Sequence, residues 1–377
     1  MPAAVKLHHY LLDEHWNGEA LIGPDTGIRF NFRVGRFIKS YLRGVPWRDD
    51  YYYLQGQGYW VLANWRLLAL TGQDSYRDIA LRCSECMLTQ QRDDGAWEYP
   101  NVEWKGRVAT VEGTWASLGL LESYRQTGDQ RFLRAIRRWY RFLIETIGFQ
   151  QIGDELAVNY FANRSWPRVP NNSANVLRLL AELADASGDA AYLQHCVSLL
   201  TFLRRAQMPT GELPYQVDGV DRRKRWSHHE CFQYNAFQCL ELMRYHETTA
   251  DTDVLPMIAG LLRFLRAGVA TDGHALFECG HAQHRAVTYH TAALAAAFAR
   301  AGHLGINGYH DVAQRSYSYL FRVQRRDGSF AHSRREYHLL SDQRSYPRYL
   351  SMVLYFLLEP LCADEQSGRR RERGRVG

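Results

Sequence analysis

Residues Trp226–Glu247, WSHHECFQYNAFQCLELMRYHE, open on a titratable cluster (His228, His229, Glu230, Cys231) and run straight into an apolar helical pattern. That pattern passes through Phe232, Ala236, Phe237, Leu240 and Met243. A helix that starts this way presents imidazole and carboxylate groups at its N-terminus, where free N–H groups and the positive dipole end favour anions. The same plan, a polar start and an apolar body, recurs along the chain. Self-similarity at a period of roughly 50–60 residues marks a repeat architecture, here one of helical hairpins.

Two kinds of punctuation separate the units. Tight turns fall at Thr71-Gly72-Gln73-Asp74, Thr127-Gly128-Asp129, Ser187-Gly188-Asp189 and, without glycine, Thr249-Ala250-Asp251; Gly suits a helix C-cap and Asp the next N-cap. Longer loops carry a second signature: Gln91–Trp97 (QRDDGAW), Gln207–Leu213 (QMPTGEL), Thr271–Phe277 (TDGHALF) and Gln324–Phe330 (QRRDGSF). The glycine marks a turn, and the large residue that follows can plug between helices.

Pairing the segments predicts first-member helices at 32–42, 75–89, 129–147, 190–206, 252–267 and 309–323. Second members are predicted at 55–70, 112–126, 171–187, 229–247, 286–301 and 347–360. First members such as Arg131–Ile144 (RFLRAIRRWYRFLI) carry a charged face, whereas second members such as Thr288–Arg300 (TYHTAALAAAFAR) are apolar nearly all round. Amphipathic helices outside and apolar helices inside describe an all-α fold, an α/α toroid of six helical hairpins with inner and outer rings of six. An open solenoid is the alternative, and the lack of a polar capping repeat favours closure. The expected organisation is an N-terminal loop segment at 1–31 packing on the toroid, a single toroid domain at 32–362 and a disordered basic tail at 363–377.

Composition narrows the function classes. With 46% hydrophobic and 13% aromatic residues the chain has ample material for a core. Most of the net charge of +6 comes from the tail Gly368–Gly377, five arginines against one glutamate, leaving the body near +2. No nucleic-acid partner is expected from so balanced a body. Seven cysteines without a regular framework fit a reducing compartment. The start MPAAVKLHHYLLDEHWNGEALIG has no apolar signal region, and no apolar run is long enough for a membrane span, so a cytoplasmic setting is expected.

On hairpin count, Gly-Asp turns and Gln-x-x-Asp-Gly-x-aromatic loops, residues 32–360 resemble the six-hairpin glycosidase superfamily of α/α-toroid enzymes. The stretches GIRFNFRVGRFIKSYL and YLQGQGYWVLANWRLL also resemble toroid proteins of bacterial exopolysaccharide biosynthesis pathways. The resemblance implies a carbohydrate-active enzyme, a hydrolase, lyase or epimerase. An N-acylglucosamine 2-epimerase-like sugar isomerase and a non-catalytic glycan-binding or scaffold protein of a polysaccharide assembly system are the alternatives. The Gln91–Trp97 and Gln324–Phe330 loops also resemble the repeats of squalene-hopene-type cyclases, but the Asp-x-Asp-Asp acid motif of those enzymes is absent.

The long loops and all the inner-helix N-termini share one end, where a pocket is expected. The residues it would gather suit an acidic poly- or oligosaccharide. Candidate catalytic residues are Glu112, His229, Glu230, Tyr289 and His290. Candidate substrate-binding residues are Gln57, Tyr59, Asp94, Trp97, Asn171, Asn172, Tyr234, Arg285, Tyr346 and Arg348. Hydrolysis would use a carboxyl pair, Glu112 with Glu230 or Asp94. Elimination or epimerisation would use Arg and Asn against a substrate carboxylate while His or Tyr moves the proton. No cofactor is expected. A compact group of Cys279, His281 and His284, with Cys231 and His228 or His229 in reach, has zinc-type ligands at a spacing that matches no established pattern.

Overall fold

The inner and outer helices differ in what their sequences bury. In Gln130–Phe142 the buried residues are Phe132, Leu133, Ala135, Ile136, Trp139 and Phe142, one stripe at helical spacing with the arginines turned outward. In Thr288–His303 every residue from Thr288 to Phe298 is buried. A helix buried on all sides must sit inside other helices.

The computed structural model describes residues 1–25, 42, 49–99, 105–163, 168–217, 228–279, 285–337 and 340–362. Twelve α-helices are present among them. The outer ones are α1 (Pro2–His15), α3 (Asp74–Thr89), α5 (Gln130–Phe142), α7 (Cys196–Ala206), α9 (Leu255–Ala267) and α11 (His310–Val323). The inner ones are α2 (Leu54–Thr71), α4 (Thr110–Thr127), α6 (Pro170–Ser187), α8 (Cys231–Thr249), α10 (Thr288–His303) and α12 (Pro347–Leu357). Each inner helix packs on the next, and α12 packs back on α2, so the ring is closed. The fold is an α/α toroid. No helix among the described residues is long and apolar enough to cross a membrane.

The tight turns cap as their composition dictates. Gly72, Gly128 and Gly188 adopt left-handed conformations with φ of 70°, 72° and 70° at the ends of α2, α4 and α6. The carboxylates of Asp129 and Asp189 accept from the backbone N–H of Arg131 and Ala191. Ala250 takes the same left-handed place after α8 with φ 59° and no glycine to relieve it.

The glycine loops make a repeated joint. Gln91, Gln207 and Gln324 each donate Nε2 twice, once to the carbonyl of their own loop glycine and once into the following outer helix, at Ala135, Met257 and Ala3. The glycines lie so close to that helix that a Cβ would stand 2.6 Å from the carbonyl oxygen of Arg138 at Gly95, 2.2 Å from that of Gly260 at Gly211 and 2.3 Å from that of Lys6 at Gly328. Gly273 repeats the approach, 2.3 Å from the carbonyl of Arg315. Only glycine fits such an approach.

The last joint corrects the expected pairing. Instead of the expected loop over residues 1–31, Pro2–His15 is helical and forms the outer helix between α12 and α2. It buries Ala4, Leu7, His8 and Leu11, packs on α12, stacks His8 on Trp60 and bonds His8 to Asn64 at 2.8 Å. It therefore takes the place predicted for Phe32–Leu42, a segment that lies outside the described residues except for Leu42. The basic tail at 363–377 also lies outside them.

At the long-loop end short strands stitch the loops together. β1 (Phe149–Ile152) and β2 (Glu155–Val158) form an antiparallel hairpin, while β3 (Ala286–Val287), β4 (Ser333–Tyr337) and β5 (Leu340–Asp342) join the start of α10 to the loop before α12. At the other end the inner-helix C-terminal halves carry buried ion pairs. Arg178 meets Glu182 at 2.6 Å and Glu241 at 3.0 Å, and Glu359 meets Arg66 at 2.9 Å and Arg300 at 3.0 Å. A cavity of about 700 Å³ there is lined by residues of this network, including Arg66, Arg125, Arg178 and Arg244.

Candidate active site

The inner-helix N-termini surround a separate cavity of about 390 Å³. Each supplies side chains to it: Gln55 from α2, Val111 and Trp115 from α4, Asn171, Asn172 and Asn175 from α6. Gln233 and Tyr234 come from α8, Tyr289 and His290 from α10, and Arg348 and Tyr349 from α12. His229 and Glu230 enter from the turn before α8, and Arg285 from just before β3.

Five polar atoms around this cavity are buried and bond no other described group: Asn171 Oδ1, Asn172 Nδ2, Asn175 Oδ1, Gln233 Oε1 and His290 Nδ1. Buried polar atoms are rarely left unbonded, so their convergence on one cavity marks a site built for a hydrogen-bonding ligand.

His290 is buried and stacks on Phe277 with ring centroids 5.5 Å apart, and the guanidinium of Arg285 lies 3.9 Å from the same Phe277 ring. Burial, with the positive charge of Arg285 and the nearby His229, holds the His290 imidazole well below its usual value and thus neutral at pH 7. His229 is partly exposed and meets Tyr215 edge-on at 5.1 Å. Glu230 sits at the N-cap of α8 in a left-handed conformation, φ 44° and ψ 36°, which is strained for a residue with a Cβ. Tyr289, Tyr349 and His332 form an aromatic wall, with centroids 4.5 Å apart for the two tyrosines and 5.0 Å for His332 and Tyr349.

Arg348 is balanced from behind. It donates Nε and Nη2 to Gln55 Oε1 at 3.0 and 2.6 Å, and lies 3.9 Å from both Asp25 and Glu112. Glu112 is fully buried and does not line the cavity; its Oε2 accepts from the backbone N–H of Gln55, so it caps α2 from the neighbouring helix. Burial raises the Glu112 carboxyl above its ordinary range, with Arg348 and the backbone donors opposing the rise.

Of the sequence candidates, the cavity gathers His229, Glu230, Tyr289, His290, Asn171, Asn172, Tyr234, Arg285 and Arg348. Six others do work elsewhere. Besides Glu112, Gln57 binds both backbone groups of Leu21 and anchors the N-terminal segment. Tyr59 is buried against Trp115 with centroids 3.9 Å apart, beneath the cavity. Asp94 is part of its own turn, accepting from Ala96 N and pairing with Arg92, and Trp97 plugs the core with its Nε1 on the Met87 carbonyl. Tyr346 is buried with its hydroxyl on Asp342 and supports the wall without lining the cavity.

Sequence reasoning missed Tyr99, Tyr160, Tyr215, Asn175, Gln233 and His332. Asn175 and Gln233 were within reach, being one helical turn on from Asn171 and three residues on from Glu230. The loop residues offered no such spacing. In the suspected metal group, His281 and His284 lie outside the described residues, while Cys231 and Cys279 come together.

No protein-family model matches the sequence, and comparison with curated proteins gives no match. Solved structures do match in shape. Cellobiose 2-epimerase from Bacillus thermoamylovorans is similar with a TM-score of 0.74 at 12% identity, covering 95% of this chain and 98% of that one. A glycosyl hydrolase family 88 protein from Bacteroides vulgatus is similar with a TM-score of 0.65 at 11% identity, covering 96% and 99%. A polysaccharide lyase has a TM-score of 0.63 at 13% identity, covering 83% and 91%. The chain has the six-hairpin toroid fold of these enzymes. At such identities the likeness concerns the fold alone, and three chemistries share it.

Proposed function

We propose that the protein is a carbohydrate-active enzyme that epimerises a sugar at a carbon next to its carbonyl group. The observation that carries this reading is the convergence of five polar atoms that bond no other described group on a cavity lined by His229, His290 and His332. Among the described lining residues Glu230 is the only carboxylate, so the two-carboxylate arrangement of glycoside hydrolysis has no partner there. A neutral imidazole suits removal of a carbon-bound proton. In the proposed reaction His290 takes that proton, the C–H electron pair forms a C=C bond, and the carbonyl π pair moves onto the oxygen. Arg285 and the amide Nδ2 of Asn172 donate to the resulting enolate, and His229 returns a proton to the other face as the carbonyl re-forms. The aromatic wall packs on the sugar ring. A cavity of about 390 Å³ suits one or two sugar rings. The fold of cellobiose 2-epimerase supports the reading. A setting in bacterial surface-polysaccharide metabolism, with an acidic sugar as substrate, rests on the resemblance of the N-terminal stretches.

The test is incubation with reducing mono- and disaccharides and with uronate oligosaccharides in deuterated water, followed by NMR. Deuterium at one ring carbon together with the epimeric sugar is expected, at C2 for a reducing sugar or C5 for a uronate. His290→Asn is expected to lower the rate by about 100-fold or more. Unsaturated uronate products would replace epimerisation with elimination, new reducing ends without deuterium would indicate hydrolysis, and binding without turnover would favour a glycan-binding protein.

A further inference from the structure

Beside the pocket, not in it, Glu212, His228, Cys231 and Cys279 come together from three stretches of chain. Glu212 lies in the loop after α7, His228 and Cys231 flank the start of α8, and Cys279 lies in the loop after α9. Ligand atoms of Glu212, His228 and Cys279 all lie within 4.8 Å of one another. The sulfurs of Cys231 and Cys279 are 3.3 Å apart, and Cys231 Sγ accepts the backbone N–H of Cys279 at 3.2 Å. Glu212 is fully buried, with Oε1 2.7 Å from His228 Nδ1 and Oε2 bonding no other described group. A buried carboxylate whose one described partner is an imidazole, with neither arginine nor lysine among the described residues beside it, gains from a bound cation.

We propose that these four side chains bind a single zinc ion as a closed structural site. Thiolate, imidazole and carboxylate are the donors zinc accepts in tetrahedral sites. Two thiolates on one zinc stand about 3.8 Å apart, from Zn–S bonds of about 2.3 Å at tetrahedral angles. The observed 3.3 Å is far longer than a disulfide bond of about 2.05 Å, and a shift of half an ångström brings the two sulfurs to zinc spacing, with Cys231 closing on the Glu212, His228 and Cys279 group as the ion binds. The backbone N–H on Cys231 Sγ is the kind of outer contact that steadies a metal-bound thiolate. On binding, both thiols lose their protons to solvent and the ion carries the charge. Four protein ligands leave no open position, so the ion holds structure and does no chemistry. His228 and Cys231 bracket His229 and Glu230, which line the pocket. The ion would thus pin the strained turn that carries both, and tie two pocket loops to the N-terminus of α8.

The full-length protein, purified with a thiol reductant and dialysed free of loose metal, is assayed by elemental analysis and zinc titration. One zinc per chain is expected, with Cys279→Ala and Glu212→Gln each weakening binding at least 10-fold and Cys196→Ala leaving it unchanged. To separate metal binding from the folding of the ligand variants, the unmodified protein is also reconstituted with cobalt(II). Intense visible absorption from thiolate ligation and four-coordinate geometry is expected. Absence of zinc and of a thiolate–cobalt spectrum would overturn the site. So would loss of both thiols to a Cys231–Cys279 disulfide in protein that takes up no metal after reduction.

Discussion

His290 and His8 are both buried imidazoles that stay neutral, yet they serve different ends. His8 is stacked on Trp60 and bonded to Asn64, and burial pulls it down to about 4. In the unfolded chain it would titrate near 6.5, so between those values the unfolded state binds more protons. The stability tied to neutral His8 is complete above about pH 6.5 and lost as pH falls towards 4, about 2 kcal/mol by pH 5. Urea midpoints at pH 7 and pH 5 are expected to converge more closely in His8→Gln than in the wild type. His290 is lowered in the same direction, so deuterium exchange should keep its rate on acidification to pH 6.5. A rate already halved there would argue against His290 as the base. Glu112→Gln separates capping from catalysis: the amide oxygen can still accept from Gln55 N. A loss of about 1–2 kcal/mol in stability is expected, with exchange retained within a few-fold.

At the level of the element, much of the architecture was legible and the reasons are specific. Gly72, Gly128 and Gly188 announce helix ends because the left-handed cap excludes most other residues, and Asp129 and Asp189 announce the next starts. The glycine loops were legible as repeats, but not as joints, because nothing in Gln324–Phe330 says which helix it will meet. Helix α1 was hidden by its own composition: a fourteen-residue helix with a narrow apolar face, one of whose buried members is a histidine. The site divided similarly. Side chains at inner-helix starts could be placed by counting, whereas Gln57, Tyr59 and Glu112 lie on the same helices but face neighbours that only the crossing of helices decides. Ala250 tests the cap reading: its φ of 59° is costly with a Cβ, so Ala250→Gly is expected to raise stability by about 0.5–1.5 kcal/mol in urea unfolding. Gly328→Ala should do the reverse, losing about 2–4 kcal/mol, because its Cβ would strike the Lys6 carbonyl.

Across the whole molecule the two ends of the ring do different work. One collects unbonded polar atoms around a cavity, and the other satisfies its buried charges internally. Arg178→Met would leave Glu182 and Glu241 without their shared cation, and a loss of about 3–5 kcal/mol is expected in chemical denaturation. The ring itself closes through Gln324 on the carbonyl of Ala3, across 321 residues of chain. That bond sets a schedule for biosynthesis. Helix α1 belongs beside a hairpin made 321 residues later, and at about 5–20 residues per second it waits on the order of 15–65 s for that partner. During that interval the apolar face of α1 and the α2 surface it covers are bare together, and a nascent chain of this fold would be most open to chaperone capture around these two helices.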